Sequence, residues 1–152
     1  MDPGQQHGWI CKPGEYPSND DGYFENMARV IFQAGLNWRM IETKWPSFLN
    51  AFANFSVDRV AGFTPNDLNR PMRDPGIIRN ERKILSLLSN ALEFQRVRAE
   101  YGSFRKYLDS LDKGNNYAAI VKELSKRFHH LGKSTAFFFL YSVGESIKHQ
   151  DS

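Results

Sequence analysis

A short stretch near the middle of the chain constrains the fold more than any other feature. Pro75 and Gly76 predict a tight turn, because proline fixes φ and glycine tolerates backbone conformations that a side chain forbids. Before the turn, Thr64 followed by proline is typical of a capped helix start. After it, Ile84 and Leu88 begin an apolar repeat at helical spacing. The stretch therefore predicts a helix, a hairpin and a second helix.

The cations that follow the turn suggest what this unit binds. Arg79, Arg82 and Lys83 lie on one side of the first turns of the second helix. A helix N-terminus carries partial positive charge, so cations there are disfavoured by about 0.3–1 kcal/mol each. A bound anion would make the cations favourable at this helix N-terminus. The hairpin offers a phosphate the free backbone amides of Gly76, Ile77 and Ile78. The local alternative is a plain turn between two helices, with a solvated basic face and Asp74 as a cap.

The rest of the chain predicts an all-α protein. No stretch alternates in the manner of a strand, and we expect a single domain of about eight helices with a helix-hairpin-helix motif. Residues 1–22 are expected to form an irregular leader that packs on a domain formed by residues 23–150, with the hairpin at 74–79.

Several helix ends follow from cap and breaker residues. A helix is predicted from about Tyr23 to Ala34, capped by Asp20 or Asp21. Asn37 is expected to cap a helix that runs to about Thr43, and Pro46 to open a separate helix over residues 47–53. Ser134 is expected to cap a last helix that extends to about residue 148.

Composition excludes some classes of protein. The 152 residues are 41% hydrophobic and 24% charged, which is typical of a soluble globular domain. The net charge of +3 permits nucleic-acid binding without requiring it. Cys11 is the sole cysteine, so no intramolecular disulfide can form, and an intracellular setting fits. No apolar run predicts a membrane span, and no signal peptide is evident.

Two motifs resemble those of a known family. Gln33-Ala34-Gly35-Leu36-Asn37-Trp38 resembles the Gln-Ala-Gly-Leu-Ser-Trp signature of bacterial DNA-3-methyladenine glycosylase I. Gly76-Ile77-Ile78-Arg79 and the Arg-x-Lys-Ile that follows are similar to the hairpin of that family. His7-Gly8-Trp9 and Tyr16 match its Cys-Gly-Trp start and a later tyrosine. The resemblance covers most of residues 7–149 and identifies the chain as a shortened, divergent member of the helix-hairpin-helix glycosylase superfamily.

The resemblance implies a base-excision repair enzyme that acts on double-stranded DNA containing an alkylated base. A base inside the stack cannot be reached, so the damaged nucleotide is flipped into an aromatic pocket, where water replaces the purine at C1′. A 3-alkylated adenine is cationic, so an electron-rich ring attracts it and it leaves readily. No lysine stands where lyase members of the superfamily carry their nucleophile, so a monofunctional hydrolase is expected.

The resemblance also implies roles for individual residues. The base pocket is expected to be formed by Trp38 as the stacking ring, Tyr16 and Trp9 as walls, and Gln33. The DNA-binding residues are expected to be Leu36, facing the gap left by the flipped base, and Gly76, Ile77, Ile78, Arg79, Arg82 and Lys83 at the backbone. Without the resemblance, core packing would be the preferred interpretation of the two tryptophans and of Leu36.

The chain departs from the family at the position of its base-contacting glutamate. That position is Val30, which can neither accept a hydrogen bond nor balance charge. Glu25 lies about 140° away around the helix and does not substitute for it. Glu42, one turn after Trp38, is the nearest acidic candidate for a catalytic residue, and a solvated helix position is the alternative interpretation.

The structural zinc of the family is expected to be absent, so we predict no metal and no cofactor. His7 replaces the first cysteine ligand, the segment that carries the next histidine is shortened, and no cysteine follows His149. Tetrahedral zinc needs four ligands, and His7, Cys11 and His149 supply three. The shortened segment also removes one aromatic wall residue of the family's pocket.

Two other functions stay open at this point. The first is a non-catalytic helix-hairpin-helix module that recognises damaged or distorted DNA, which Val30 favours and the retained Trp38 loop disfavours. The second is an unrelated helical protein-interaction domain, which the two linked motifs disfavour. A pocket at Trp38 without a carboxylate would favour the binding module, or a glycosylase that relies on the charge of its leaving group. We expect a monomer in the cytoplasm, associated with the nucleoid.

Overall fold

The computed structural model describes residues 9–77 and 80–148, and these form eight α-helices and one 3-10 turn with no strand among them. The helices are α1 (Asp20–Gln33), α2 (Trp38–Ala51), α3 (Val57–Ala61), α4 (Pro65–Arg73), α5 (Glu81–Tyr101), α6 (Phe104–Asp109), α7 (Gly114–Arg127) and α8 (Lys133–Ser142), with the 3-10 turn at Ala53–Phe55. The all-α prediction is confirmed. No helix in this part of the chain is both long and apolar enough to cross a membrane.

Helix α1 runs through the centre of the protein. Ten of its 14 residues are buried, and it packs against α2, α3, α5, α6 and α8. A helix that is buried on nearly all sides forms the core rather than covering it. Beside it, Trp45 of α2 stacks between Phe48 and Phe55, at ring-centroid distances of 4.9 and 5.1 Å. This packing fixes the end of α1, where the signature motif begins.

The start of α1 differs from the sequence prediction. Asn19 caps the helix, so α1 begins at Asp20 rather than near Tyr23. The two carboxylates that were expected to cap it bind neighbouring helices. Asp20 accepts a hydrogen bond from the Phe104 N–H at the start of α6 (2.9 Å), and Asp21 accepts one from the Val57 N–H at the start of α3 (2.9 Å). Two long-range helix caps therefore join three elements at one end of the fold.

The prediction of two helices around Pro46 is wrong, because α2 is continuous from Trp38 to Ala51. Proline inside a helix costs about 3 kcal/mol. Here Trp45 and Phe48 are buried on the core side of the helix while Pro46 faces solvent, so packing outweighs that cost. Asn37 caps α2 as predicted, accepting hydrogen bonds from the amides of the first turn.

Helix α8 is shorter than predicted. It begins after Gly132 rather than after Ser134, and no side-chain cap is present at its N-terminus within the described residues. It ends at Ser142, because Gly144 adopts φ 85° and turns the chain. The N-terminal amides of α8 are thereby left for partners outside the helix.

Residues 11–14, within the predicted leader, form backbone hydrogen bonds with the end of α8. The Cys11 N–H donates to the Ser142 carbonyl (2.9 Å), and the Gly14 N–H donates to the Gly144 carbonyl (2.9 Å). A Cβ on Gly144 would clash with the backbone carbonyl of Glu15. This close approach and the positive φ both require glycine.

The Gly144→Ala variant is accordingly expected to lose about 2 kcal/mol of unfolding free energy, because its backbone must move and its φ is strained. Gly62→Ala is the matched control, since a Cβ there makes ordinary contacts of 3.5 and 3.6 Å, and a change within about 0.5 kcal/mol is expected. Urea denaturation followed by circular dichroism measures both. Equal midpoints for the two variants would contradict the assignment.

Candidate active site

A cleft of about 390 Å³ opens beside the loop that joins α1 to α2. Its volume lies within the range of about 300–1,000 Å³ that is typical of small-molecule sites. The lining comes from the end of α1, the loop and the beginning of α8, namely Val30, Gln33, Ala34, Gly35, Leu36, Trp38, Ser134, Thr135 and Phe138. The rings of Trp38 and Phe138 meet edge to face, 4.6 Å apart, so the cleft has an aromatic side.

The loop between α1 and α2 is a turn that hydrogen bonds hold in place. Gly35 adopts φ 76°, and the Leu36 N–H donates to the Gln33 carbonyl (2.9 Å). From α5, the ammonium of Lys83 donates to the Ala34 carbonyl (3.1 Å). Sequence reasoning assigned Lys83 to phosphate, and it missed this contact. The helix that follows the hairpin thus holds the loop that presents Trp38.

Gln33 is buried at the edge of this cleft without a partner. Its side chain is 2% exposed, and neither atom of its amide has a hydrogen-bond partner within the described residues. A buried polar group without a partner costs about 1–3 kcal/mol. A buried amide that lacks a partner needs an explanation, and Gln33 is among the residues that line the cleft. Val30 lies one turn earlier on the same face of α1 and offers no polar atom.

The hairpin is closed by its own acidic residue. The Gly76 N–H donates to the Asp74 carboxylate (2.7 Å), and the Ile77 N–H donates to the Asp74 carbonyl (3.1 Å). The expectation that both amides are free is therefore wrong for this conformation. A phosphate at Gly76 must replace the Asp74 carboxylate. The ammonium of Lys44 donates to the Pro75 carbonyl (3.3 Å) and ties the hairpin to α2.

The remaining hairpin predictions have different outcomes. Ile78 and Arg79 lie outside the described residues, so their roles stay predictions. Arg82 is exposed on the first turn of α5, where a phosphate can reach it. Lys83 is half-buried, and burial lowers its pKa from the ordinary value.

A turn that the sequence did not single out extends this basic face. Asn90, fully buried on α5, donates to the His129 carbonyl (3.1 Å) and accepts from the His129 N–H (2.8 Å). His130 follows at φ 56°. Burial lowers the pKa of His130, and the nearby charges of Lys83 and Arg82 lower it further. The histidine pair therefore stands beside the start of α5.

A family model described as methyladenine glycosylase matches residues 11–136. The chain belongs to the methyladenine glycosylase family. The DNA-3-methyladenine glycosylase of Haemophilus influenzae is 26% identical, over 80% of this chain and 75% of that protein. DNA-3-methyladenine glycosylase 1 of Escherichia coli is 30% identical, over 59% of this chain and 54% of that protein.

Solved structures agree with the family assignment. The 3-methyladenine DNA glycosylase I of Staphylococcus aureus, studied for its recognition of 3-methyladenine, superposes with a TM-score of 0.77 at 25% identity. The match covers 95% of this chain and 86% of that protein. The family predicted from the signature and the hairpin is confirmed.

Not every pocket residue implied by the family resemblance reaches the cleft. The guanidinium of Arg105 lies over the ring of Tyr16 at 3.4 Å, and Tyr16 is not among the residues that line the cleft, so its place in the base pocket stays a prediction. Trp9 stands behind the cleft, edge to face with Phe138 at 6.3 Å. Phe138, together with Ser134 and Thr135, forms the wall instead.

Arg29 of α1 is a buried cation that contacts two tryptophan rings. The guanidinium of Arg29 sits 4.8 Å from the ring of Trp9 and 4.6 Å from the ring of Trp45. Burial lowers the pKa of Arg29 to about 10, while Glu25 and Glu42 act in the opposite direction. Arg29 therefore keeps its charge at neutral pH, next to the position where the family carries its glutamate.

No carboxylate is among the described residues that line the cleft. Glu25 accepts a hydrogen bond from the Trp45 indole N–H (3.0 Å), and Glu42 is close enough to Arg29 to act on its charge. The catalytic role of Glu42 stays a prediction. Its charge, like that of Glu25, opposes the effect of burial on the pKa of Arg29.

The family's zinc was tested against the residues described here. Among residues 9–77 and 80–148, no three His, Cys, Asp or Glu side chains gather into a possible metal site. Burial and Glu15 raise the pKa of Cys11, which disfavours the thiolate that zinc requires. His7 and His149 lie outside the described residues, so the absence of zinc stays a prediction.

Proposed function

We propose that this chain is a monofunctional DNA glycosylase of base-excision repair. It hydrolyses the N-glycosidic bond of an alkylated purine of the 3-methyladenine type, after the nucleotide has been flipped out of double-stranded DNA. The observation that carries the proposal is the cleft at Trp38, which the helix after the hairpin supports directly through Lys83. A hydrogen bond thus joins the helix proposed to bind the DNA backbone to the loop proposed to bind the base.

The cleft suits a flipped cationic base. Trp38 and Phe138 offer ring surfaces, and Gln33 offers a polar edge. Stacking on an aromatic ring is worth about 1–3 kcal/mol per base, and a positive charge strengthens the attraction to the ring. Leu36, partly buried at the mouth of the cleft, is suited to fill the space that the base leaves.

Cleavage of the bond between C1′ and a cationic base requires little general acid catalysis. The bond between C1′ and the base breaks with its electron pair going to the base, which neutralises the positive charge of the alkylated purine. Water adds its oxygen to C1′ and releases a proton to solvent. The protein contributes orientation and exclusion of bulk water. A neutral damaged base lacks this driving force, so we expect it to leave slowly.

Release of free base from methylated duplex DNA tests the proposal. The wild type is expected to release 3-methyladenine under single-turnover conditions, and to release no uracil from a uracil-containing duplex. Uracil is a neutral leaving group, so it controls for the chemistry. A protein that binds methylated duplex but releases no base would contradict the proposal.

A non-catalytic DNA-binding module is the second candidate, and the cleft's lack of a lining carboxylate among the described residues favours it. The two functions separate in one experiment. The module predicts tighter binding to damaged than to undamaged duplex with no loss of base, even after long incubation.

The proposal includes a monomer that works on chromosomal DNA. A 17.6 kDa chain is expected to sediment as one species at micromolar concentration. In cells, a fluorescent fusion is expected to follow the nucleoid. A stable dimer would require the binding face to be reassessed.

The affinity for duplex DNA is expected to rise as pH falls from about 8 to 6. Where the affinity depends most steeply on pH, it should change by about threefold per pH unit. In the free protein, burial and the charges of Lys83, Arg82 and His129 hold the pKa of His130 below its ordinary value, so the ring is neutral at pH 7. A DNA phosphate opposite the ring raises that pKa, so binding takes up a proton and weakens as pH rises through the value in the complex.

Fluorescence anisotropy with a short duplex measures this pH dependence. His130→Asn cannot gain the proton, and we expect it to flatten the profile while leaving affinity at pH 8 nearly unchanged. His129→Asn controls for the neighbouring ring. The same slope in wild type and His130→Asn would show that His130 does not face the backbone.

A further inference from the structure

A second groove, of about 440 Å³, lies between the end of α2 and the start of α4. The 3-10 turn and α3 form its other sides, and we call it the α2–α4 groove. Leu49 and Phe63 give it some apolar surface. Its polar side chains are Asn50, Asn54, Arg59, Asn66, Asp67 and Arg70. None of the described residues that line the cleft at Trp38 is charged, whereas this groove carries two guanidinium groups.

The two arginines of the groove have no acidic partner within residues 9–77 and 80–148. Arg59 is exposed on α3, and Arg70 is exposed on α4. None of the ion pairs in this part of the chain includes either guanidinium. Two cations that line one groove repel each other, so an anion between them lowers the electrostatic energy. The groove is therefore suited to an anionic ligand.

The carboxylates near these arginines in the chain are bound to other groups. Asp67 lines the groove, but its carboxylate accepts hydrogen bonds from the Thr64 N–H (2.8 Å) and the Thr64 hydroxyl (3.0 Å). Asp58, next to Arg59 in the chain, pairs with Arg98 of α5 at 2.6 Å. The single carboxylate of the lining is thus engaged as a helix cap, and the lining keeps an excess of positive charge.

The groove begins one helical turn from the hairpin on both helices that border it. On α2, Ser47 lies against the hairpin, since a Cβ on Gly76 would be 2.6 Å from its Oγ, and Asn50 follows one turn later. On α4, Arg70 lies one turn before Asp74, which binds the Gly76 N–H. One helical turn is about 5 Å, and phosphates of one DNA strand follow each other at about 3.4 Å along the axis. A backbone bound at the hairpin can therefore reach the groove within about two nucleotides.

We propose that the α2–α4 groove binds the DNA backbone beside the phosphates held at the hairpin, and that Arg59 and Arg70 each contact a phosphate. A guanidinium donates two parallel hydrogen bonds to phosphate oxygens and keeps its charge at neutral pH. The asparagine amides of the lining can donate to the same backbone. The inference rests on the proposed DNA binding, and it extends the contact surface beyond the hairpin and the basic face around Arg82 and His130.

The affinity for duplex DNA tests the two arginines. The duplex contains one tetrahydrofuran analogue of an abasic site, which fixes the position of the protein and offers no base to release. Arg59→Gln/Arg70→Gln is expected to bind at least about tenfold more weakly than wild type at about 0.1 M salt. The slope of log affinity against log salt concentration should fall by about 2, since each lost phosphate contact contributes about 0.9. Fluorescence anisotropy measures both quantities.

Lys106→Gln/Lys122→Gln is the matched control, because it also removes two positive charges. Both lysines are exposed, on α6 and α7, and neither helix contributes a described residue to the groove. Its affinity should change by less than about threefold. Arg59→Lys/Arg70→Lys keeps the charges and should recover most of the salt dependence. Circular dichroism establishes that each variant is folded.

Hydroxyl-radical cleavage of the same duplex locates the contact. At saturating concentration, the wild type is expected to protect a continuous stretch of the backbone. Arg59→Gln/Arg70→Gln should lose protection over about two nucleotides at one edge of this stretch, while the remainder stays protected. Gly76→Asp should instead lose protection in the adjoining part, where the hairpin binds.

The groove site and the glycosylase proposal can fail separately. A wild type that releases no 3-methyladenine, but shows the expected salt dependence and footprint, would contradict the glycosylase function alone. An arginine variant that matches the lysine control in affinity, or that leaves the wild-type footprint unchanged, would overturn the groove site while base release still supports the enzyme. A wild type that does not bind duplex DNA would overturn both.

Discussion

Trp38→Ala is expected to slow release of 3-methyladenine by about 100-fold. Stacking of a base on an aromatic ring is worth about 1–3 kcal/mol, and attraction of a cationic base to the ring adds up to about 2 kcal/mol when water is excluded. Each 1.4 kcal/mol that the transition state loses is about tenfold in rate. Single-turnover kinetics with methylated duplex DNA measure the chemical step directly.

Conservative variants separate stacking from folding. Trp38 is half-exposed at the start of α2, so its loss should leave unfolding free energy within about 1 kcal/mol of wild type. Trp38→Phe keeps a ring in contact with Phe138 and is expected to stay within tenfold of the wild-type rate. A Trp38→Ala protein that released base at the wild-type rate would mean that the base does not stack in this cleft.

Consecutive residues carried most of the family assignment. The signature from Gln33 to Trp38 and the turn at Pro75 and Gly76 are local patterns, and each reflects a local requirement of the backbone. Asn37, for example, caps α2 through its own side chain, which a sequence reveals directly. Predictions of this kind depend on neighbours along the chain, and they could be made without the fold.

The walls of the cleft depend on distant residues, and here sequence reasoning was weaker. Phe138 and Thr135 reach Trp38 because α8 packs on α1, which no local pattern reveals. Tyr16 matched the family in sequence, yet its ring contacts Arg105 and is not among the residues that line the cleft. Phe138 lies on α8, where Ala136, Phe139 and Leu140 are buried.

Hydrogen bonds between different helices also could not be predicted from the sequence. The sequence predicts that Asp20 caps its own helix, whereas its hydrogen-bond partner lies at the start of α6. The sequence predicts that Lys83 contacts phosphate, whereas its ammonium donates a hydrogen bond to the loop after α1. Both side chains are polar groups near a helix start, and a pattern cannot distinguish a local partner from a distant one.

Gly76→Asp is expected to weaken binding to duplex DNA by about 100-fold, which corresponds to roughly two lost backbone contacts. A Cβ at this position would lie 2.6 Å from the Ser47 Oγ and 3.1 Å from the Ser47 Cβ, so the Ser47 side chain or the hairpin must move. The new carboxylate would also repel the phosphate that has to replace Asp74 at the Gly76 amide. Titration of a labelled duplex by fluorescence anisotropy, at two salt concentrations, gives both the affinity and the number of phosphate contacts.

Three further variants separate the steric effect of Gly76→Asp on DNA affinity from the effect of its charge. Gly76→Ala has the steric conflict without the charge, and about tenfold weaker binding is expected. Combining it with Ser47→Gly removes the Ser47 atoms nearest to the new Cβ, at 2.6 and 3.1 Å, so affinity should recover towards wild type. Ala99→Asp adds the same charge on an exposed position of α5 and should change affinity less than threefold. If Gly76→Asp and Ala99→Asp bind DNA equally well, the hairpin does not contact the backbone, and the basic face around Arg82 and His130 must bind DNA by another route.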